Sequence, residues 1–309
     1  MGAGSYNSAA SAYRSANRVA TGAKLFDFSS RATQIHPSLD VKNKPFRECR
    51  DNADNPVSIP IAVFIDVTGS NTSAAEPMMQ DFHKCMSVIL DAGVEYPTVL
   101  IGATGDSRSD QAPFQVGEFE ASDELLEECT GKIWLEGNGG GQQKESYAIP
   151  LAYAYHNIKT DHWDKRGKKG HLFIVADEGS HDLLESDLSR FAINGTPMTT
   201  KEAFELAATR WNIYILRPKE SMYKNDKKII AFWEDIAGAD RVIPLESYAQ
   251  LNGTIASLTA LNEGIDPATL KAVVDKHGVQ VSSSVSIVPK DDSSNLASIE
   301  DEEATLTRI

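Results

Sequence analysis

The sequence predicts an α/β protein built on buried parallel strands, and three observations predict it. First, "IAVFI" (61–65) and "LFIVA" (172–176) are apolar runs with no polar alternation, the pattern of strands covered on both faces. Second, each run ends in a small-residue turn that opens on an aspartate, Asp66 and Asp177. Third, strand-like and helix-like segments alternate along the chain.

The chain has 309 residues, which suits one large α/β domain with appendages. Its formal charge of −14 argues against a general nucleic-acid binder, which would carry a basic face, and leaves metal ions and basic surfaces open as partners. The cysteines, Cys49, Cys85 and Cys129, are scattered and form no CxxC, so neither a disulfide framework nor a zinc site is indicated, and a reducing interior is the expected compartment. The N-terminus lacks a sustained apolar stretch of the signal-peptide kind. No apolar run approaches the ~18 residues of a membrane span. A cytoplasmic, membrane-free protein is the expectation.

Residues 1–56 are rich in Ala, Ser, Asn and Gly and read as an arm, partly extended, with one short helix over Ser8–Ala20. "RECRDNADNP" (Arg47–Pro56) reads as a polar turn. Arg47 and Arg50 there are either solvated, laid on the acidic domain, or available to an anionic partner. Ser58–Ile65 is the first strand. A helix is predicted over Ala74–Ala92, with Ser73 and Glu76 spaced as a capping box, Pro77 in its first turn, and Met78, Phe82, Cys85, Met86 and Ile89 recurring at helical spacing. Thr98–Ala103 is the second strand. Asp106 and Asp110 follow as turn residues, and Phe114–Glu120 has the length of an antiparallel edge strand.

Ser122–Thr130 is helical, with Ser122 as cap. Four glycines, Gly137, Gly139, Gly140 and Gly141, then precede a helix that places Tyr147, Leu151, Ala154, Tyr155 and Ile158 on one face. A glycine loop opening a helix can bind phosphate, but neither GxxxxGK[ST] nor GxGxxG is present. Beyond the basic turn "RGKKG" lies the strand Leu172–Ala176. A helix over Lys201–Arg210, a strand over Asn212–Leu216, a helix over Lys227–Ala237, a strand over Arg241–Pro244 and a helix over Tyr248–Leu261 complete the alternation. Trp211, Phe232 and Trp233 are read as packing residues. Past Gly264, Asp266–His277 can form another helix and Val279–Val288 an isolated strand. Pro289–Ile309 is acidic and poor in core formers, so its end reads as disordered.

Asp66, Thr68 and Ser70 lie at alternate positions on the turn after the first strand. One carboxylate and two hydroxyls can all face a single hard cation, and magnesium prefers such oxygens. The C-terminal ends of strands are where ligands bind in open α/β sheets. Gly69 lets the backbone fold closely between the hydroxyls.

Taken in order, strand-Asp66-x-Thr68-x-Ser70, a glycine-rich loop before a helix, and strand-Asp177-Glu-Gly resemble the von Willebrand factor type A (vWA) domain. The resemblance covers about 57–262, leaving 1–56 as an arm and 263–309 as a C-terminal extension. Thr68 stands where the family's first serine is usual. Through "RECRD", "KESY" and "RGKKG" the chain is also similar to bacterial and phage proteins carrying this domain. The resemblance implies a doubly wound, mostly parallel central sheet with helices on both faces and one antiparallel edge strand. It further implies a metal-ion-dependent adhesion site, a MIDAS, for Mg2+ (or Mn2+ or Ca2+), with Asp66, Thr68 and Ser70 on its first loop and Asp177 on its third. On the second loop the family's Thr position falls on Gln142, whose amide oxygen is longer and uncharged. Glu145, further along, is a substitute ligand. The function implied is binding: a partner protein's carboxylate completes the ion's coordination, and a MoxR-type AAA+ ATPase is an expected partner.

Two other readings stand beside this one. A structural or virion-associated protein with a degenerate metal site would use the arm and tail as assembly contacts. A haloacid-dehalogenase-like phosphohydrolase would use Asp66 as nucleophile, but its general acid two residues on is replaced by Thr68, and Lys168 and Lys169 stand at the wrong end of their strand.

Overall fold

The computed structural model describes residues 4–69, 72–137, 143–221 and 223–287, and the side chains of 72–74 lie outside that description. So do Ser70, Gln142 and the acidic end of the chain, together with what was expected of them.

The arm contributes α1 (Ser8–Thr21) and β1 (Arg47–Cys49). The apolar run then forms β2 (Ile59–Asp66), buried along its whole length. The single helix predicted after it is two helices, α2 (Thr72–Gln80) and α3 (Phe82–Asp91). Pro77 lies inside α2 and has no N–H to bond back, which weakens the ladder ahead of the break at Asp81. The strand β3 (Pro97–Thr104) follows, then β4 (Phe114–Val116) and α4 (Asp123–Gly131). Of the expected edge strand only its first three residues are β4; its end returns as an isolated bridge from Glu120 to Val99.

A two-residue strand, β5 (Lys144–Glu145), leads into α5 (Ala148–His156). Ile158, expected on that helix face, begins β6 (Ile158–Thr160), which runs into α6 (Asp161–Asp164). Next come β7 (Gly170–Val175), β8 (Gly179–Ser180), α7 (Glu185–Arg190), α8 (Thr200–Ala208) and β9 (Trp211–Pro218). The chain closes with α9 (Lys227–Ala237), β10 (Val242–Leu245), α10 (Gln250–Asn262) and α11 (Pro267–His277). The expected strand after α11 is absent among the described residues. Its Ser282 instead donates its N–H to the Thr254 hydroxyl and its own hydroxyl to the Pro244 carbonyl, tying 279–287 to α10 and β10.

Six strands form the central sheet in the order β10-β9-β7-β2-β3-β4. All neighbours are parallel except β4, which runs antiparallel to β3 from Thr104↔Phe114 to Gly102↔Val116. The sheet therefore is doubly wound with one antiparallel edge. One face packs Val63, Ile65, Val99 and Phe173 against α3, α10 and α11, and the other packs Ala62, Phe64, Leu172 and Ile174 against α5, α8 and α9. Trp211 and Trp233 are buried in the second layer, as packing residues should be. Among the described residues no helix is long and apolar enough to cross a membrane.

The arm is fastened to this sheet by charge and by backbone. In α1, Arg14 donates to Glu127 at 3.0 Å and to Asp123, and Arg18 donates to Glu127 at 2.8 Å. These cations hold the Glu127 carboxyl below its usual range although burial acts in the other direction. Because the network is partly buried and shared between two acids, Arg14→Ala should lower unfolding stability by roughly 1–2 kcal/mol. Urea denaturation measures this, and a midpoint unchanged from wild type would show that α1 is held by packing alone.

The strand β1 pairs in parallel with β6, Arg47↔Ile158 through Cys49↔Thr160. Arg47 is neither solvated nor open to an anion: its side chain is fully buried. It donates to the carbonyls of Gly117 and Val116 at 2.8 Å each and to those of Phe46 and Lys44. Arg50 lies on the acidic domain, donating to Asp161 at 2.8 Å and Asp164 at 2.7 Å.

Candidate functional site

The parallel register brings the ends of β2, β3 and β7 to one rim. Asp66 is the last residue of β2, beside Thr104. Phe64 pairs with Ile174, so Val175, the last residue of β7, lies level with Ile65, and Asp177 follows two residues later. Cross-links between loops fix the rim. The Val67 N–H donates to Thr104 O at 3.1 Å, Gly137 N–H to Val67 O at 3.4 Å, and Ser146 N–H to Gly105 O at 3.1 Å. The small parallel pair β5–β8 sets Glu145 against Ser180. A Cβ on Gly69 would sit 3.1 Å from the Gly137 carbonyl oxygen, so the close passage of the first loop past the second favours glycine there.

Six carboxyls collect at this rim, all nearly removed from solvent: Asp66, Asp106, Asp110, Glu145, Asp177 and Glu178. Burial and then the charge of Asp177 push the Asp66 carboxyl well above its ordinary range. Burial, followed by Asp66, Glu178, Asp110 and Asp106, pushes Glu145 up further. Burial and the charges of Asp177, Asp66 and Asp106 push Glu178 up to about 8. Like charges in a low-dielectric pocket cannot all ionise, so this rim holds protons at neutral pH unless a cation arrives.

Asp66 is held by three donors. Its Oδ1 accepts from the Thr68 N–H at 2.8 Å and the Thr68 hydroxyl at 2.6 Å, and its Oδ2 accepts from the Tyr147 hydroxyl at 2.5 Å. A hydroxyl that donates to a carboxylate keeps its lone pairs to offer a cation. Asp66 thus both orients Thr68 and retains acceptor capacity only at Oδ2. The Oε2 atom of Glu145 is buried with no hydrogen-bond partner. Asp106 and Asp110 are turn residues, as read: Asp106 accepts from the Arg108 N–H at 2.9 Å and Asp110 from the Asp106 N–H at 2.8 Å. They are also buried, and His181 lies 3.6 Å from Asp106.

Of the predicted ligands the structure brings Asp66, Thr68, Glu145 and Asp177 to one rim, while Ser70 and Gln142 lie outside the described residues. Among the described residues no three His, Cys, Asp or Glu side chains are grouped so as to hold a metal ion. The donor chemistry nonetheless fits a hard cation: oxygen atoms only, an excess of negative charge, one oriented hydroxyl and one buried carboxyl oxygen without a partner. Two residues were not foreseen. Tyr147 precedes α5 and was read as part of an apolar helix face, and its hydroxyl bond to Asp66 has no local signal. Arg217 ends the apolar run of β9, buried close to Asp177.

No protein-family model matches the chain, and no curated protein matches it. Among solved structures it is similar to the pilus adhesin SpaC from Lactobacillus rhamnosus GG in its open conformation, at 11% identity and TM-score 0.43, over 75% of this chain and 31% of that one. It is also similar to a von Willebrand factor type A protein from Catenulispora acidiphila, at 16% identity and TM-score 0.39, over 67% of this chain and 43% of that one. A third is proximal thread matrix protein 1 from the mussel byssus, at 13% identity and TM-score 0.39, over 67% and 48%. The chain spans less than half the length of each of these structures.

Proposed function

We propose that this chain is a vWA-type protein-binding module whose MIDAS-type rim takes a divalent ion, Mg2+ or else Mn2+ or Ca2+, and through it a partner's carboxylate. The observation that supports this best is the meeting of Asp66 and Asp177 from adjacent parallel strands, buried and electrostatically opposed, with the Thr68 hydroxyl locked on Asp66. Thr68, Asp66, Asp177 and Glu145 would hold the ion, and the bound ion supplies an open coordination position for an acidic side chain. The residues around it do the rest. Tyr147 and Thr68 fix the Asp66 carboxylate, the β5–β8 pairing fixes Glu145, and the −14 charge of the chain turns away acidic proteins that do not reach the ion. The setting we propose is the cytoplasm of a bacterial host, beside a MoxR-type AAA+ ATPase.

Binding rather than turnover is the reading because Asp66 is a poor nucleophile. Both its oxygens accept hydrogen bonds, the position of a general acid is filled by Thr68, and Lys169 caps Ala208 O at the far end of β7. A metal-free scaffold, virion-associated or otherwise, is the second reading, and the hydrogen bonds that Thr68 and Tyr147 already give Asp66 favour it.

A melting experiment separates them. Adding Mg2+ or Mn2+ at about 100 times its dissociation constant should stabilise the wild type by about 2.7 kcal/mol, while Asp66→Asn, which keeps the shape and loses the charge, should show no ion-dependent shift. An equal shift in the variant rejects the site, and no shift in either protein supports the scaffold. A pull-down with and without EDTA then identifies the carboxylate donor.

A further inference from the structure

Arg217 carries the one guanidinium buried close to Asp177 among the described residues. It is the penultimate residue of β9, where it pairs with Pro244 of β10. On the other side, Val175 pairs with Leu216 and the Ala176 N–H donates to Leu216 O at 3.0 Å. Arg217 therefore stands beside Ala176, the residue that precedes Asp177. Arg217 is 5% exposed. Its Nη2 donates to Tyr223 O at 3.3 Å, its Nη1 has no hydrogen-bond partner, and it forms no ion pair with another described residue. Burial pushes its pKa down, and of the groups that oppose this, Asp177 comes first, then Tyr147, Asp226 and Glu234.

A buried guanidinium normally has its donors met by carboxylates or carbonyls. Here one nitrogen is left over beside a rim with six carboxyls, too far to pair and too near to be indifferent. We propose that Arg217 is the resident counter-cation of the rim and sets how tightly it takes a divalent ion. Its charge opposes the ion when the rim is otherwise empty, and a partner's carboxylate offsets that opposition, so that ion and carboxylate bind cooperatively. This rests on the metal-binding reading above and adds to it a residue that makes occupancy depend on the partner. At an effective dielectric near 20, a fixed cation close to a divalent ion repels it strongly enough to change its affinity by about tenfold.

The test is a Mn2+ titration followed by melting temperature at pH 7, with and without acetate as the carboxylate probe. Arg217→Gln keeps a donor for Tyr223 O and removes the charge, and Arg217→Lys keeps the charge. The Gln variant should bind Mn2+ with a midpoint about tenfold lower than wild type, and the Lys variant should stay within about threefold of it. Acetate should lower the wild-type midpoint and lower that of the Gln variant less. A Gln variant that is folded in EDTA and takes Mn2+ at the wild-type midpoint overturns the role of Arg217 and leaves the metal site standing. If neither protein responds to Mn2+, the metal site and this inference fall together. Should the Gln variant not fold, absence of any acetate effect on the wild-type midpoint overturns the proposal by itself.

Discussion

Between pH 6.5 and pH 8.0, in EDTA, the protein should become less stable as pH rises. Glu178 is held up to about 8 by burial and by Asp177, and Asp66 and Glu145 are raised for the same reasons. Unfolded, these carboxyls titrate near 4. In this window the folded chain carries protons that the unfolded chain has lost. Stability then falls with rising pH by up to about 1.4 kcal/mol per pH unit for each carboxyl still protonated. The stabilising share of these groups is complete below the unfolded value and disappears as pH passes the folded one. The histidines act in the opposite sense, and only at the lower edge of the window. Burial lowers His171, even with Glu263 at 2.8 Å, so its share is complete well above the unfolded value near 6.5 and is lost as pH falls from there through the lowered folded value. A saturating divalent ion should flatten the slope, because a carboxylate on a cation is already ionised. Glu178→Gln should flatten it in part. Melting temperatures at fixed ionic strength decide the matter, and a melting temperature that holds or climbs from pH 6.5 to 8.0 in EDTA would rule out a proton-loaded rim.

Arg47→Met should be the most damaging single change outside the rim, with a loss of about 3–5 kcal/mol. The guanidinium is completely buried and holds carbonyls from both the arm (Lys44, Phe46) and the β4 edge (Val116, Gly117), with Glu118 at 3.3 Å. Methionine fills much of the volume, but those carbonyls would be left in a dry interior without donors. Chemical denaturation should show both a lower midpoint and, if β1 leaves β6, proteolysis at 38–50 before global unfolding. A loss under 1 kcal/mol would mean that water enters and replaces the guanidinium.

The buried strands were legible because the sheet needs unbroken apolar runs, and "IAVFI" and "LFIVA" are such runs. Asp66, Thr68 and Asp177 could be placed at the rim because they follow those runs directly. Other features are long-range and have no local signal. The Tyr147–Asp66 bond joins residues 81 apart, and Arg47 reaches carbonyls about 70 residues away. An arginine after an apolar strand reads as its exposed end, and only the pairing with β10 and the cover of α9 make Arg217 internal. The predicted long helix failed because helical spacing continues through "PMMQDFHKCM" while the backbone does not, and periodicity is blind to a one-residue break. The expected strand after α11 failed because its serines bond to α10 and β10 and leave no ladder to form.

Tyr147 gives the rim a label-free optical readout. Its hydroxyl donates to Asp66 at 2.5 Å and its ring lies 5.8 Å from that of Trp233, whose indole in turn donates to Glu178 O at 2.8 Å. A phenol and an indole in mutual energy-transfer range are thus wired to two acidic residues of the same rim. An event that strips protons from Asp66 or shifts the Glu178 backbone should therefore alter near-ultraviolet absorbance and intrinsic emission from this pair.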